Sequence, residues 1–217
     1  MDSSIGGKVA VNLTQGKNLV GFFYQPKAVF IDTETLNTLP DKFFSDGMGE
    51  VLKYAFIRDE PMYETLLKFK NRENLMKNIG EIIYRCCKIK GEIVEKDERD
   101  TGERLLLNFG HTLGHAIEAY TKYKKYSHGE AVSIGMVEIT KLFEKKGVCE
   151  KNLSEKMEAV LKSFQLPTVL RDEYRKNISD FIKNDKKFLN GKLNLVAVTK
   201  IGESKIIKSS SDFFQNL

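Results

Sequence analysis

The chain has 217 residues, 41% of them hydrophobic and 30% charged, enough apolar material for one good-sized core or one core with an appendage. Its net charge of +5 is spread through mixed-sign segments, and its richest basic runs, KYKK at 122–125 and KNDKK at 183–187, are short; this excludes the concentrated basic stripe of a nucleic-acid binder but leaves cations for a small anionic ligand. No apolar run approaches the ~20 residues of a membrane span, and MDSSIGGKVAVN lacks the basic start and apolar stretch of a secretory signal, so a cytoplasmic protein with no membrane or nucleic-acid partner is expected.

Residues 1–40 carry β-rich runs, VAVNL and KAVFID, between the turn residues Gly6, Gly7, Gly16, Pro26 and Pro40. This pattern predicts strands at 9–13 and 28–32. Two strands cannot make a well-formed sheet alone. They pair with the C-terminal hairpin, or their partners lie outside this chain. DSSIGGK at 2–8 is glycine-rich and suits a phosphate, yet its spacing is not that of a P-loop.

From about residue 41 apolar positions return at intervals of three and four. One such face is Phe43, Met48, Val51 and Leu52, and another is Leu75, Ile79, Ile82, Ile83, Cys86, Ile89 and Ile93. Leu153, Met157, Val160 and Leu161 supply a third. All three read as amphipathic helices. Gly147 is placed to stop one helix and Pro167 to close another near Gln165. KLNLVAVTKIGESKIIK then returns to β character, with IGES at the turn of a hairpin. The fold class expected is α+β, mainly α. Cys86, Cys87 and Cys149 match neither a disulfide framework nor a cysteine-rich zinc pattern and are read as reduced packing residues.

All three histidines, His111, His115 and His128, fall in NFGHTLGHAIEAYTKYKKYSHGEAV. His111 and His115 are four apart in a helical stretch and share a face, a geometry suited to metal ligation. His128 precedes another helical pattern, so a helix–turn–helix return can deliver it to the same place. A divalent cation held firmly usually needs a carboxylate as well, and Glu118, Glu130 and Glu50 are candidates. Glu50 follows Gly47 and Gly49 and projects from the first turns of its helix, with Lys53 on the same face. Lys88, Lys90 and Arg104 add cations. Arg104, Asn108 and His111, at steps of four and three, stack on one face if that helix starts early, an arrangement suited to phosphate or carboxylate.

DSSIGGKVAVN, GKNLVGFFYQPKAVFIDTETLNTLP, GMGEVLKYAFI, IKGEIVEKDERDTGERLLLNFGHTLGHAIE and HGEAVSIGMV occur in the order and near the spacing of 3-dehydroquinate synthases, which the chain resembles over essentially its whole length. The resemblance implies a helical metal- and substrate-binding domain at 41–217, preceded at 1–40 by a β-containing remnant of a Rossmann-like NAD-binding domain. It implies zinc, or another divalent metal such as Co2+, on Glu50, His111 and His128. Lys53, Lys90, Arg104, Asn108 and His115 match substrate-side positions, and Lys186 or Lys187 matches a lysine that reaches the substrate phosphate. Asp2, Lys8, Lys17, Asn18, Thr38 and Leu39 match the nicotinamide-cofactor side, Lys8 and Asn18 also meeting substrate. The implied reaction cyclises an anionic sugar-acid phosphate, 3-deoxy-D-arabino-heptulosonate 7-phosphate, to 3-dehydroquinate with loss of phosphate, by transient oxidation with NAD at a carbon held on zinc. Val9 and Gly49 depart from the family pattern, where Thr and Ala are common, without touching these residues.

By the same resemblance the glycine-rich NAD-gripping turn and an arginine lent across the family's homodimer fall outside this chain. The isolated polypeptide is therefore expected to be silent or nearly so, with an exposed sheet edge prone to association. Another sugar-phosphate cyclase, or a zinc-binding module without turnover, are the competing readings.

Overall fold

The computed structural model describes residues 2–14, 16–69, 71–184, 193–215 and 217. In chain order the elements are β1 (Lys8–Leu13), β2 (Gly16–Phe23), α1 (Asp41–Arg58), α2 (Glu60–Leu66), α3 (Arg72–Met76) and α4 (Ile79–Lys96). There follow α5 (His111–Tyr120), α6 (His128–Lys145), α7 (Leu153–Ser163), α8 (Asp172–Asn184), β3 (Leu193–Lys200) and β4 (Glu203–Ser209). Short 3-10 turns occupy Thr33–Thr38, Glu103–Asn108 and Ser211–Phe214. The described residues are thus mostly helical with two small antiparallel sheets, β1–β2 and β3–β4.

The helix α6 is the centre of the core. Ala131, Val132, Ile134, Met136, Val137 and Ile139 are all buried around its circumference, as expected of a helix enclosed by others. Each of the valine, isoleucine and methionine side chains among them stabilises the fold by about 1.5–3 kcal/mol relative to exposure. α1, α5 and α7 all pack against α6. α4 buries Ile79, Ile82, Ile83, Cys86 and Ile93 of the predicted stripe, with Ile89 partly buried and Leu75 on the separate helix α3. α6 stops where predicted, with Gly147 at φ +66°. α7 ends at Ser163, two residues before the predicted position.

The C-terminal hairpin forms as expected and turns at Ile201–Gly202, where Gly202 has φ +82°. Its inner strand β3 buries Leu195 to Val198 continuously against the helices. The front of the chain departs from expectation. β1 finds its partner in β2, with Lys8 opposite Phe23 and Val11 opposite Val20. Residues 28–32, predicted as a strand, are irregular, and Phe30 there is 94% exposed. A run of β-formers becomes a strand only beside another strand, and among the described residues none lies beside this one. The β1–β2 hairpin also leaves Val9, Val11, Val20, Phe22 and Phe23 exposed.

Candidate functional site

Two close approaches bring the functional side chains together. Gly129, in the first turn of α6, lies so near α1 that a Cβ there would sit 2.0 Å from the Asp46 carbonyl oxygen. Asp46 Oδ1 in turn accepts from the Gly129 N–H at 2.7 Å and the Glu130 N–H at 3.3 Å. This caps two of the amides that a helix start leaves without partners. Gly110, with φ +76°, breaks the chain just before α5, so His111 is the first residue of that helix. Arg104 and Asn108 therefore do not share a helix with His111 as predicted, but sit on the separate 3-10 turn Glu103–Asn108.

Glu50 projects from the middle of α1, two turns deeper than the sequence suggested. Its Oε1 is 3.4 Å from His111 Nε2 and 3.7 Å from His128 Nε2. Oε1 is buried and has no hydrogen-bond partner among the described residues, whereas Oε2 accepts from Lys53 Nζ at 2.6 Å. His111 Nδ1 lies 3.0 Å from the Phe109 carbonyl, and His128 Nδ1 lies 3.2 Å from Glu118 Oε2. A carbonyl or an ionised carboxylate can only accept, so Nδ1 carries a proton in each ring, and in its neutral form each imidazole turns the Nε2 lone pair inward. Three acceptors thus converge on one point. Such an arrangement calls for a positive charge at its centre, and three such donors leave an open position on a divalent ion.

Electrostatics keep His111 and Glu50 ready as donors. Burial pushes the His111 pKa down, to about 3, against the opposing pull of Glu50; the ring is neutral near neutral pH. Burial pushes the Glu50 carboxyl up, but Lys53 and the histidines more than offset this, so it lies below the usual carboxylate range and is ionised. The hydrogen bond from His128 to Glu118 holds that imidazole's pKa above its ordinary value.

The three carboxylates left open by the sequence have separate tasks. Glu50 faces both Nε2 atoms. Glu130 accepts from the Ser127 N–H at 2.8 Å and closes the start of its own helix. Glu118 meets the far side of His128. His115 is exposed at the rim, its ring 5.4 Å from that of His111 and 5.9 Å from that of His128.

A second network adjoins the cluster through Lys53. Buried Asp2 accepts from the Tyr54 hydroxyl and lies 3.1 Å from Lys90 Nζ, which also donates to the Asp2 carbonyl at 2.8 Å. Lys53 Nζ lies 4.7 Å from the Tyr54 ring centroid. Arg104, buried at 2% exposure, donates to the Gly6 carbonyl at 2.7 Å and to the Glu98 carbonyl, while Lys8 pairs with Asp100 at 2.5 Å. The glycine-rich segment of 2–7 is thereby tied down beside α1 and α4.

Other predicted positions lie apart or cannot be placed. Thr38 closes on its own 3-10 turn, and Leu39 lines an apolar groove of about 270 Å³ with Leu36, Phe44, Gly47, Met48 and Val51. At 100° per residue Phe44 and Met48 point away from Glu50 and Lys53, so this groove opens on another side of α1 from the histidines. The side chains of Lys17 and Asn18 on β2, and Lys186 and Lys187 altogether, lie outside the described residues. Sequence reasoning overlooked Tyr54, Asp46 and Asp100. Tyr54 and Asp46 had a signal, since each is four residues from Glu50 and so neighbours it on α1.

The sequence profile described as 3-dehydroquinate synthase C-terminal matches residues 47–188, and that described as 3-dehydroquinate synthase N-terminal matches 1–46. The chain is 53% identical over 215 residues to a 3-dehydroquinate synthase of Clostridium perfringens, covering 99% of this chain and 61% of the relative. It is 50% identical to that of Clostridium beijerinckii, at the same coverage, and 42% identical to that of Enterococcus faecalis over 95% of this chain and 58% of the relative. Its fold is that of a 2-epi-5-epi-valiolone synthase from Streptomyces hygroscopicus solved with NAD+ and Zn2+ (TM-score 0.83, 22% identity). It also matches a 2-deoxy-scyllo-inosose synthase solved with carbaglucose-6-phosphate, NAD+ and Co2+ (TM-score 0.78, 25% identity). Each of these alignments covers 99% of this chain and 61% of the solved one.

Proposed function

Since the chain belongs to the 3-dehydroquinate synthase family, we propose that it supplies the metal- and substrate-binding part of a 3-dehydroquinate synthase. This lyase of aromatic amino acid biosynthesis converts 3-deoxy-D-arabino-heptulosonate 7-phosphate into 3-dehydroquinate and inorganic phosphate. The chain spans 61% of its curated relatives' length, so the reaction is assigned to the enzyme of which it is a part. Residues 41–217 form the helical site domain in this reading, and 1–40 belong to the NAD-binding side.

The observation that carries the reading is the convergence of His111 Nε2, His128 Nε2 and the partnerless Glu50 Oε1. Their chemistry fits zinc or cobalt, and these three residues would hold it. A bound divalent ion lowers the pKa of an attached hydroxyl and polarises a carbonyl, while a bound nicotinamide cofactor accepts and returns hydride. The chain's own groups do the rest. Lys53 holds the other oxygen of Glu50 and keeps the carboxylate ionised. His115, exposed beside both ligand histidines, takes and returns protons at the substrate. Lys53, Lys90, Arg104, Asn108 and Lys186 or Lys187 favour a doubly anionic substrate. Asp2, with Lys8, Lys17, Asn18, Thr38 and Leu39, serves the cofactor side, and the Lys90 and Tyr54 contacts fix its carboxylate. Other sugar-phosphate cyclases are supported by likeness of fold, whereas sequence identity favours dehydroquinate synthase.

The test is zinc content and affinity of the purified chain beside His111→Ala and His115→Ala. The expected result is one zinc in the wild type, lost in His111→Ala and kept in His115→Ala. A wild-type chain that takes up no zinc would overturn the ligand assignment.

A further inference from the structure

Glu118 is a buried carboxylate, its side chain 5% exposed, near the end of α5. Its Oε2 lies 3.2 Å from His128 Nδ1 across the α5–α6 turn. A charged group so deeply enclosed is kept only where a partner offsets its desolvation. The two histidines are supported differently. His111 is 12% exposed, walled in by packing, and needs only the Phe109 carbonyl at Nδ1. His128 is 41% exposed and stands at the first position of its helix. Packing alone leaves such a ring free to rotate about its side-chain torsions, so its aim depends on what holds Nδ1.

We infer that Glu118 is a positioning residue for the metal site: it holds His128 as the Nδ1-protonated tautomer, aims Nε2 at Glu50 and His111, and strengthens Nε2 as a donor. The inference rests on the reading of Glu50, His111 and His128 as metal ligands. An ionised carboxylate hydrogen-bonded to the outer nitrogen of a ligating imidazole fixes both tautomer and ring plane, and its loss typically weakens metal binding by about 10–100-fold. One rival use of the same atoms exists. His115, Glu118 and His128 also bring ligand atoms within 4.8 Å of one another, so a second cation, in place of a proton, would occupy Nδ1. The 3.2 Å contact satisfies a hydrogen bond directly, and His115 stands at the exposed end of that group.

The experiment compares wild type, Glu118→Ala, Glu118→Gln and His115→Ala as full chains. It uses nitrogen NMR of the histidine rings without metal, and calorimetric titration with Zn2+. In the wild type His128 is expected to carry its proton on Nδ1, with one Zn2+ bound. Glu118→Ala loses that tautomer preference and binds Zn2+ about 10–100-fold more weakly. Glu118→Gln, whose amide oxygen still accepts from Nδ1–H, keeps the tautomer and recovers most of the affinity, and His115→Ala binds like wild type. A wild-type His128 protonated on Nε2 overturns the inference even if Glu118→Ala does not fold. Glu118→Ala within twofold of a tightly binding wild type overturns the positioning role and leaves the ligand assignment standing. A second equivalent of Zn2+ that disappears in His115→Ala assigns Glu118 to the rival cluster. Failure of the wild type to bind Zn2+ removes both readings at once.

Discussion

The spacing between α1 and α6 is set by the absence of a side chain at position 129, and Gly129→Ala tests this directly. An ideal Cβ there lies 2.0 Å from the Asp46 carbonyl oxygen and 2.8 Å from both Asp46 C and Oδ1. Real Cβ atoms do not approach within 3.0 Å, and the obstacle is helix backbone, so the helices must part by roughly 1 Å. Overpacking of this kind costs about 1–3 kcal/mol, and loosening the Asp46 cap on α6 adds about 1 kcal/mol. A loss of about 2–4 kcal/mol follows. At about 2–4 °C per kcal/mol for a chain of this size, the midpoint of thermal unfolding falls by roughly 4–16 °C. Because α1 carries Glu50 and α6 carries His128, the same displacement weakens zinc binding about tenfold or more, as expected when ligands lose their geometry. Urea unfolding and zinc titration measure both effects. Gly147→Ala is the control: its φ is +66° but nothing lies within 4 Å of the new Cβ. It should cost about 1–2 kcal/mol of strain and leave zinc affinity unchanged. A Gly129→Ala protein within about 0.5 kcal/mol of wild type, the range of an unremarkable surface change, with unaltered zinc affinity, refutes the reasoning.

Asp2→Asn probes the network that ties the N-terminal segment to α1 and α4. Burial pushes the Asp2 carboxyl up, but Lys90, the Tyr54 hydroxyl and Lys53 together pull it below its ordinary value of 3.8. A lowered folded-state pKa contributes stability that is complete above the unfolded value and is lost as the pH falls through the folded one. Asp2→Asn should therefore cost about 1–3 kcal/mol near neutral pH, and thermal scans should show the gap to wild type closing as the pH drops below 3.8; a gap that widens on acidification contradicts the network. At the other end of the core, Arg175 from α8 donates to both oxygens of Glu138 at 2.8 and 3.1 Å, and Glu138 is 4% exposed. Arg175→Ala strands that carboxylate with Lys141 at 3.6 Å and should destabilise the chain by about 2–4 kcal/mol in urea. Adding Glu138→Gln should restore part of the loss, and no restoration would mean that Arg175 acts by packing alone.

Much of this molecule is legible in its residues because the signals are local. The stripe from Ile79 to Ile93, the face from Leu153 to Leu161, the stop at Gly147 and the hairpin after 193 all follow from periodicity and turn chemistry acting within a few residues. The histidine pair at i and i+4 likewise shares a helix face by arithmetic, and motif order was enough to indicate the family. Partner choice was not legible. Residues 16–23 form a strand, although Gly21 weakens their pattern. That glycine is required because a Cβ there would lie 2.1 Å from the Val9 carbonyl oxygen. Residues 28–32 have better β-formers and, among the described residues, no neighbouring strand. Gly110 separates Arg104 and Asn108 from the helix of His111, a break that spacing does not reveal. Above all, Glu50, Glu118 and Glu130 were equal candidates by spacing, and only the resemblance of motifs singled out Glu50, because a carboxylate's role depends on what faces it. Only the packing of α1 and α5 on α6 gives one of them a helix amide, one the outer nitrogen of His128, and one the two inward lone pairs.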